Sequence, residues 1–122
     1  MKKLTLTFLL LFSINCFAFN WKKLGEFDDG GGFYVDADNI SKRNGLVYYW
    51  SMKNTPSEPS STIYKNKADC MDEKVILMTL TVYSQPMGRG EVTSSWVPDV
   101  FHYPKPNEGI YRGMKYACNN AR

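Results

Sequence analysis

The stretch KVILMTLTVYS, residues 74–84, decides the fold class because its apolar side chains recur at every second position. Ile76, Met78, Leu80 and Val82 form an apolar set with a period of two, which is typical of a β-strand. β-Branched residues crowd the same run and disfavour a helix. We therefore predict a strand with one continuous apolar face.

A second strand is predicted upstream, over Leu46–Lys53, where the side chains alternate in the same way. The apolar or aromatic side chains stand at the even positions, Leu46, Tyr48, Trp50 and Met52. Such alternation gives one buried and one wetter face, so we expect the even positions to be buried. Asn44–Gly45 precedes the strand and is the usual sequence of a two-residue hairpin turn.

Four further segments have the β-branched and aromatic residues of strands, so the sheet is predicted to have about six strands. These segments are Trp21–Phe27, Phe33–Ala37, Thr62–Lys67 and Glu91–Val97. The proline-rich segment from Asp99 to Asn107 is expected to be irregular.

The end of the chain changes to a helical pattern. Within Glu108–Ala121, Ile110, Met114 and Cys118 recur every four residues, and Asn107 is the expected N-cap. A helix covering one face of an antiparallel sheet is the simplest arrangement of these elements. We therefore predict an α+β fold with a single antiparallel sheet and a C-terminal helix packed on it.

The first eighteen residues have the layout of a secretory signal peptide. Lys2 and Lys3 precede the apolar run Leu4–Ile14, and Cys16 to Ala18 end it with small residues around a cleavage position after Ala18. The apolar run is shorter than the about 20 residues that a spanning helix needs. Residues 19–122 then form the exported domain, for which we predict no transmembrane span. Lipidation of Cys16 and an uncleaved anchor are the alternatives.

The composition bounds the function of this domain. Residues 19–122 carry thirteen basic and twelve acidic side chains, without a run of like charge. Nucleic-acid binding requires a clustered basic face, so no nucleic-acid partner is predicted. The domain retains two cysteines, Cys70 and Cys118, which are predicted to form a disulfide in an oxidising compartment. Their spacing suits neither a metal site nor a CxxC redox motif.

The sequence contains little that indicates catalysis. His102 is the only histidine, with Asp99, Ser94 and Ser95 nearby, but no nucleophile-elbow motif accompanies them. Asp36, followed by a second aspartate two positions later, is expected to initiate a turn. We predict no enzyme, no cofactor, no metal and no catalytic residue.

Tyrosines suggest a contact surface instead. Tyr34, Tyr49 and Tyr83 lie in predicted strands, where a tyrosine on the wetter face offers a large area and one hydrogen bond to a protein partner. The alternative is that the helix and loops cover these side chains as part of the core.

Several motifs, in this order, resemble one known family. They are YVDADNI at Tyr34–Ile40, VYYW at Val47–Trp50, ADC at Ala68–Cys70, LTVYSQPMGRGEV at Leu80–Val92, Trp96, and a terminal helix that ends in Cys118. The chain resembles the surface-adhesin protein E family of Gram-negative envelope proteins. The segment from Tyr83 to Glu91 is the most specific part of the resemblance.

The resemblance implies a small antiparallel sheet with a C-terminal helix, a disulfide matching Cys70–Cys118, export and no catalytic residues. It also implies an adhesin that binds host matrix proteins such as vitronectin and laminin, and it suggests a homodimer. The expected location is the periplasm or the outer-membrane surface. The alternative function is a periplasmic accessory protein, either an inhibitor or a binder of a small ligand such as haem through His102 or a tyrosinate.

Overall fold

The computed structural model describes residues 18–122. The predicted leader and its lipidation alternative at Cys16 lie outside these residues, and the predicted cleavage after Ala18 falls at their edge. The described chain forms eight strands and one α-helix. They are β1 (Trp21–Glu26), β2 (Gly32–Asp36), β3 (Ser41–Arg43), β4 (Leu46–Thr55), β5 (Ser60–Asp69), β6 (Lys74–Tyr83), β7 (Val92–Trp96), β8 (Val100–His102) and α1 (Gly109–Asn120).

All eight strands belong to one antiparallel sheet with the order β1-β2-β4-β5-β6-β7. The short strands β3 and β8 pair with one half of β4 and of β6, respectively. The turn between β3 and β4 confirms the hairpin prediction, because Asn44 and Gly45 both have positive φ, at 52° and 81°. The predicted α+β architecture is confirmed.

Helix α1 lies over one face of the sheet, against β1, β2 and β4. We call this the helix face and the other side the open face. The disulfide Cys70–Cys118 joins the end of β5 to the last turns of α1, with 6.0 Å between the Cα atoms, as predicted. The predicted N-cap was wrong, since Glu108 occupies that position without a side-chain capping bond.

The core fills the space between α1 and the sheet. Its most deeply buried members come from four strands and the helix: Val35, Val47, Ala68, Val75, Met114 and Ala117. A Cβ atom on Gly113 would lie 2.9 Å from the Phe33 ring, so the glycine allows the helix to approach the sheet closely.

The prediction of the buried face of β4 was wrong. The helix face takes the odd positions Val47, Tyr49 and Ser51, whereas Tyr48 and Trp50 are half-buried on the open face. Both sets of β4 side chains contain large apolar residues, so alternation identifies the strand without showing which face the helix covers.

Two cations partly cover the aromatic rings on the open face. The Arg43 guanidinium lies 4.0 Å from the centre of the Tyr48 ring, and the Lys65 ammonium lies 5.4 Å from the Trp50 ring. Cation–π contacts of this kind stabilise the half-buried aromatic side chains.

The predicted continuous apolar face of β6 is divided by a β-bulge. Lys65 pairs with Thr79 and Asn66 pairs with Leu77, so Met78 has no partner in β5. A bulge changes which side successive residues face. As a result Leu80 lies on the helix face, while Ile76 lies on the open face.

The turn between β6 and β7 folds over the open face. The Ser61 hydroxyl accepts the Gly88 N–H at 2.8 Å and donates to the Gln85 carbonyl oxygen at 2.7 Å. The Asn54 side-chain oxygen accepts the Met87 N–H at 2.9 Å. These bonds hold the turn on β4 and β5, which explains why Met52 is buried although it faces away from the helix.

Candidate interaction surface

One margin of the sheet exposes a concentration of large apolar side chains. Six of them, each 42–68% exposed, come from the segment 92–103, which we call the apolar edge: Val92, Trp96, Val97, Val100, Phe101 and Tyr103. The other strongly exposed apolar residue of the described chain, Met71, lies in the separate β5–β6 turn. Such a concentration of large exposed apolar side chains marks a candidate interaction site.

The apolar edge consists of the two strands β7 and β8, which pair with successive halves of β6. Between them, Val97–Asp99 leaves the ladder, and Asp99 has the positive φ of 54°. The sheet order of the described residues ends at this margin. The outward N–H and C=O groups of β7 and β8 are therefore placed to pair with another extended chain.

Few charges protect this edge. Asp99 is the only acidic residue in segment 92–103, which contains no lysine or arginine. Natural sheets usually block such an edge with charges, bulges or prolines. Here Pro98 interrupts the edge in the middle, and a bulge shifts the β6–β7 register near Val92. The Phe101 and Tyr103 rings meet edge to face at 5.9 Å, and the Lys74 ammonium lies 4.5 Å from the Phe101 ring.

The structure does not bring the three predicted contact tyrosines together. Tyr49 is 3% exposed on the helix face, so the prediction that it contributes to a contact surface was wrong. Burial raises the pKa of the Tyr49 phenol, because the phenolate anion is less stable away from water. Tyr34 and Tyr83 are half-buried on the open face, on β2 and β6, and only Tyr83 adjoins the apolar edge, opposite Val92.

The residues weighed for catalysis have other positions. His102 is exposed on β8, and Ser95 lies 3.3 Å from the Thr81 hydroxyl within hydrogen-bond distance. The buried Asp36 carboxylate accepts the backbone N–H groups of Asn20 and Asp38, at 3.0 and 3.2 Å, which supports its interpretation as a turn residue. Residues 18–122 contain no group of three or more histidine, cysteine or acidic side chains arranged to hold a metal.

Sequence reasoning missed the strand β8, which lies in the segment expected to be irregular. The prolines at positions 98 and 104 suggested a loop, but both stand just outside Val100–His102 and leave its pairing intact. The available signal was the low charge of the segment from Val92 to Tyr103.

A family model matches residues 21–119 as surface-adhesin protein E. The chain belongs to the surface-adhesin protein E family. A search of curated protein sequences finds no significant match. Family membership supports a surface adhesin and an exported envelope protein, and it gives no support to the periplasmic accessory alternative.

The fold of this family member is similar to that of Haemophilus influenzae protein E. One structure of that protein has a TM-score of 0.61 at 16% identity, covering 86% of this chain and 88% of that one. Its selenomethionine form gives 0.60 at 15% identity, covering 86% and 95%. Crystal form II gives 0.56 at 17% identity, covering 72% and 80%. At these identities the similarity establishes the shared fold.

The described part of this surface-adhesin protein E chain contains no helix with the length and apolar character needed to cross a membrane. Its single α-helix, α1, has 12 residues and lies against the sheet.

Proposed function

We propose that residues 19–122 act as a non-enzymatic adhesin that binds a host matrix protein through the apolar edge. The observation that carries this proposal is the concentration of six exposed apolar side chains on one unpaired margin of the sheet. An extended segment of the partner would add to β7 or β8, with main-chain bonds giving affinity and the apolar side chains giving contact area. Vitronectin and laminin are the candidate ligands by family resemblance.

Binding of residues 19–122 to immobilised vitronectin and laminin tests this function. The double variant Trp96→Lys, Phe101→Lys places two charges on the apolar edge, and we expect at least a tenfold loss of affinity, since interface centres exclude charge. Met71→Lys changes an equally apolar and 97% exposed residue elsewhere and should bind normally. Unchanged binding by the double variant, or none by the folded wild-type chain, would contradict the proposal.

Tyr83 is proposed as an auxiliary contact because it adjoins Val92 at the margin of the sheet. Tyr34 is proposed as a contact on the same open face, but it lies on β2, with β4 and β5 between it and β6. We therefore expect Tyr83→Ala to weaken ligand binding more than Tyr34→Ala. Equal effects of the two substitutions would contradict ligand binding at the apolar edge.

The apolar edge also supports a proposed homodimer as the state without ligand, because two copies of an exposed edge strand pair readily with one another. Sedimentation equilibrium of residues 19–122 should show dimers, and Trp96→Lys, Phe101→Lys should be monomeric at the same concentration. A wild-type monomer at high micromolar concentration would exclude edge pairing as the solution state.

The leader is proposed to be cleaved after Ala18, and the domain is proposed to reach the outer surface of a Gram-negative cell. Mass spectrometry of the exported protein should give Phe19 as the first residue, whereas a lipid-modified Cys16 would contradict this. Protease added to intact cells should remove the protein. Protection until the outer membrane is permeabilised would place it in the periplasm and contradict the adhesin role.

A further inference from the structure

A cavity of about 190 Å³ lies on the helix face, beside the first turn of α1. It opens because α1 packs against β1, β2 and β4 and leaves the neighbouring part of the sheet less covered. Its lining includes Ile110 from the helix, Leu77 from β6, and Phe27 and Phe33 from the other end of the sheet. The cavity is distinct from the apolar edge.

The walls of the cavity suit an aromatic ring. The rings of Phe27 and Phe33 meet edge to face with centroids 5.8 Å apart, and Leu77 and Ile110 add aliphatic surface. An apolar cavity of about 150 Å³ is large enough to hold benzene. A volume of 190 Å³ therefore accommodates one substituted ring or a small bicyclic one.

Two buried polar side chains also line this cavity. Ser51 and Asn66 are 5% and 2% exposed, at strand positions where asparagine is uncommon. The Asn66 amide donates to the Ser51 hydroxyl oxygen at 2.9 Å and to the Tyr64 carbonyl oxygen at 3.4 Å. Both bonds use the amide nitrogen of Asn66, so its carbonyl oxygen can still accept a hydrogen bond, and the Ser51 hydroxyl can still donate one.

Among the residues that the structure describes, Lys53 is the one lining residue of the cavity with a charged side chain. The Lys53 ammonium lies 3.3 Å from an Asp29 carboxylate oxygen and 5.0 Å from the centre of the Phe27 ring. Because Lys53 already has an anionic partner and burying an unpaired charge is costly, the cavity favours a neutral molecule.

We propose that the cavity binds a small neutral aromatic molecule with one hydroxyl or ring N–H group, of the size of phenol or indole. The ring lies against Phe27 and Phe33, and its polar group bonds to the Ser51–Asn66 pair. An apolar pocket with a few convergent polar groups is the usual form of a small-molecule site. This site is independent of the proposed adhesin function.

Amide chemical-shift titration of disulfide-bonded residues 19–122 with phenol, indole and benzene tests the site. We expect saturable shifts at the lining residues for phenol and indole. Ser51→Ala should weaken phenol and indole binding about two- to tenfold while leaving benzene binding unchanged, because one hydrogen bond is lost. Equal weakening of all three ligands would contradict the role of the polar pair.

Ile110→Phe fills the cavity from the helix side and should abolish the saturable shifts. Val97→Phe adds the same ring at an exposed position on the apolar edge and should bind like the wild type. If Ile110→Phe does not fold, Leu77→Phe fills the cavity from the sheet side. Absence of saturable shifts in the folded wild-type chain up to the solubility of phenol and indole, or their persistence in a folded filled variant, would overturn the proposal.

Discussion

The Ser61 hydroxyl oxygen lies 2.8 Å from the Gly88 amide nitrogen and so joins the middle of the sheet to the β6–β7 turn. Ser61 is fully buried and also donates to the Gln85 carbonyl oxygen. A single hydroxyl therefore satisfies two backbone groups of the turn. This places the most specific part of the family resemblance, Tyr83–Glu91, against β5.

Ser61→Ala should destabilise the protein by about 1–3 kcal/mol, because it leaves the Gly88 N–H and the Gln85 C=O without their partner. Urea unfolding measures the change. Ser60→Ala is the matched control, since Ser60 makes no side-chain hydrogen bond within residues 18–122, and it should unfold like the wild type. Equal midpoints for the two variants would contradict the role assigned to Ser61.

Gly113→Ala should also be destabilising, by about 1–3 kcal/mol, although alanine favours helices by up to about 1 kcal/mol over glycine. The added Cβ would lie 2.9 Å from the buried Phe33 ring, so either the ring or the helix must shift. Asn119→Ala, at an exposed position of α1, should be neutral or slightly stabilising. A thermal midpoint of Gly113→Ala above that of the wild type would show that stability does not depend on the close packing of Gly113 against Phe33.

Removing the disulfide should cost about 4 kcal/mol in the chain-entropy model, because Cys70 and Cys118 close a loop with a sequence separation of 48. The double variant Cys70→Ser, Cys118→Ser avoids a free thiol, and urea unfolding gives the loss. Reductant should lower the stability of the wild type to that of the variant and leave the variant unchanged. Insensitivity of the wild type to reductant would contradict a stabilising bond.

Stability should fall in alkaline solution because burial raises the pKa of Tyr49 and Tyr64 above the ordinary value near 10. The unfolded chain then releases protons first, so the stabilising contribution is complete below pH 10 and is lost as the pH rises toward the folded-state pKa values. Urea midpoints measured between pH 8 and 11 test this.

Tyr49→Phe should reduce that alkaline loss, since phenylalanine has no ionising group. Tyr103→Phe, at a 57% exposed position, should retain the wild-type pH dependence and serves as the control. Equal slopes for Tyr49→Phe and the wild type would exclude Tyr49 as a source of the effect.

Much of the fold could be predicted because it is encoded in local patterns. The period of two in β4 and β6, the Asn44–Gly45 turn and the four-residue spacing in α1 each appear within a few neighbouring residues. The pairing of Cys70 with Cys118 also follows from the sequence, since they are the two cysteines of the predicted exported domain.

The assignment of faces could not be predicted in the same way. In β4, Tyr49 and Trp50 are both large aromatic residues, and only the position of α1 decides that Tyr49 is the buried one. In β6, the bulge at Met78 arises from pairing with β5 and divides a set of residues that is continuous in sequence. Both features depend on contacts with distant parts of the chain.

The candidate surface was missed for a related reason. Val100–His102 is short and lies between prolines, so it becomes a strand only because β6 offers it a partner. A contact surface based on tyrosine content alone selected Tyr49, which the helix covers. Exposure of an apolar residue depends on the whole fold and is not a property of residue type.

The interruption of the apolar edge at Val97–Asp99 also bears on aggregation. It divides the margin into strands of five and three residues, β7 and β8. Cross-β stacking is typical of uninterrupted segments of about six or seven apolar, proline-free residues. The break keeps each half below that length. The protein can therefore expose apolar strands to one binding partner without these strands stacking into a fibril of its own copies.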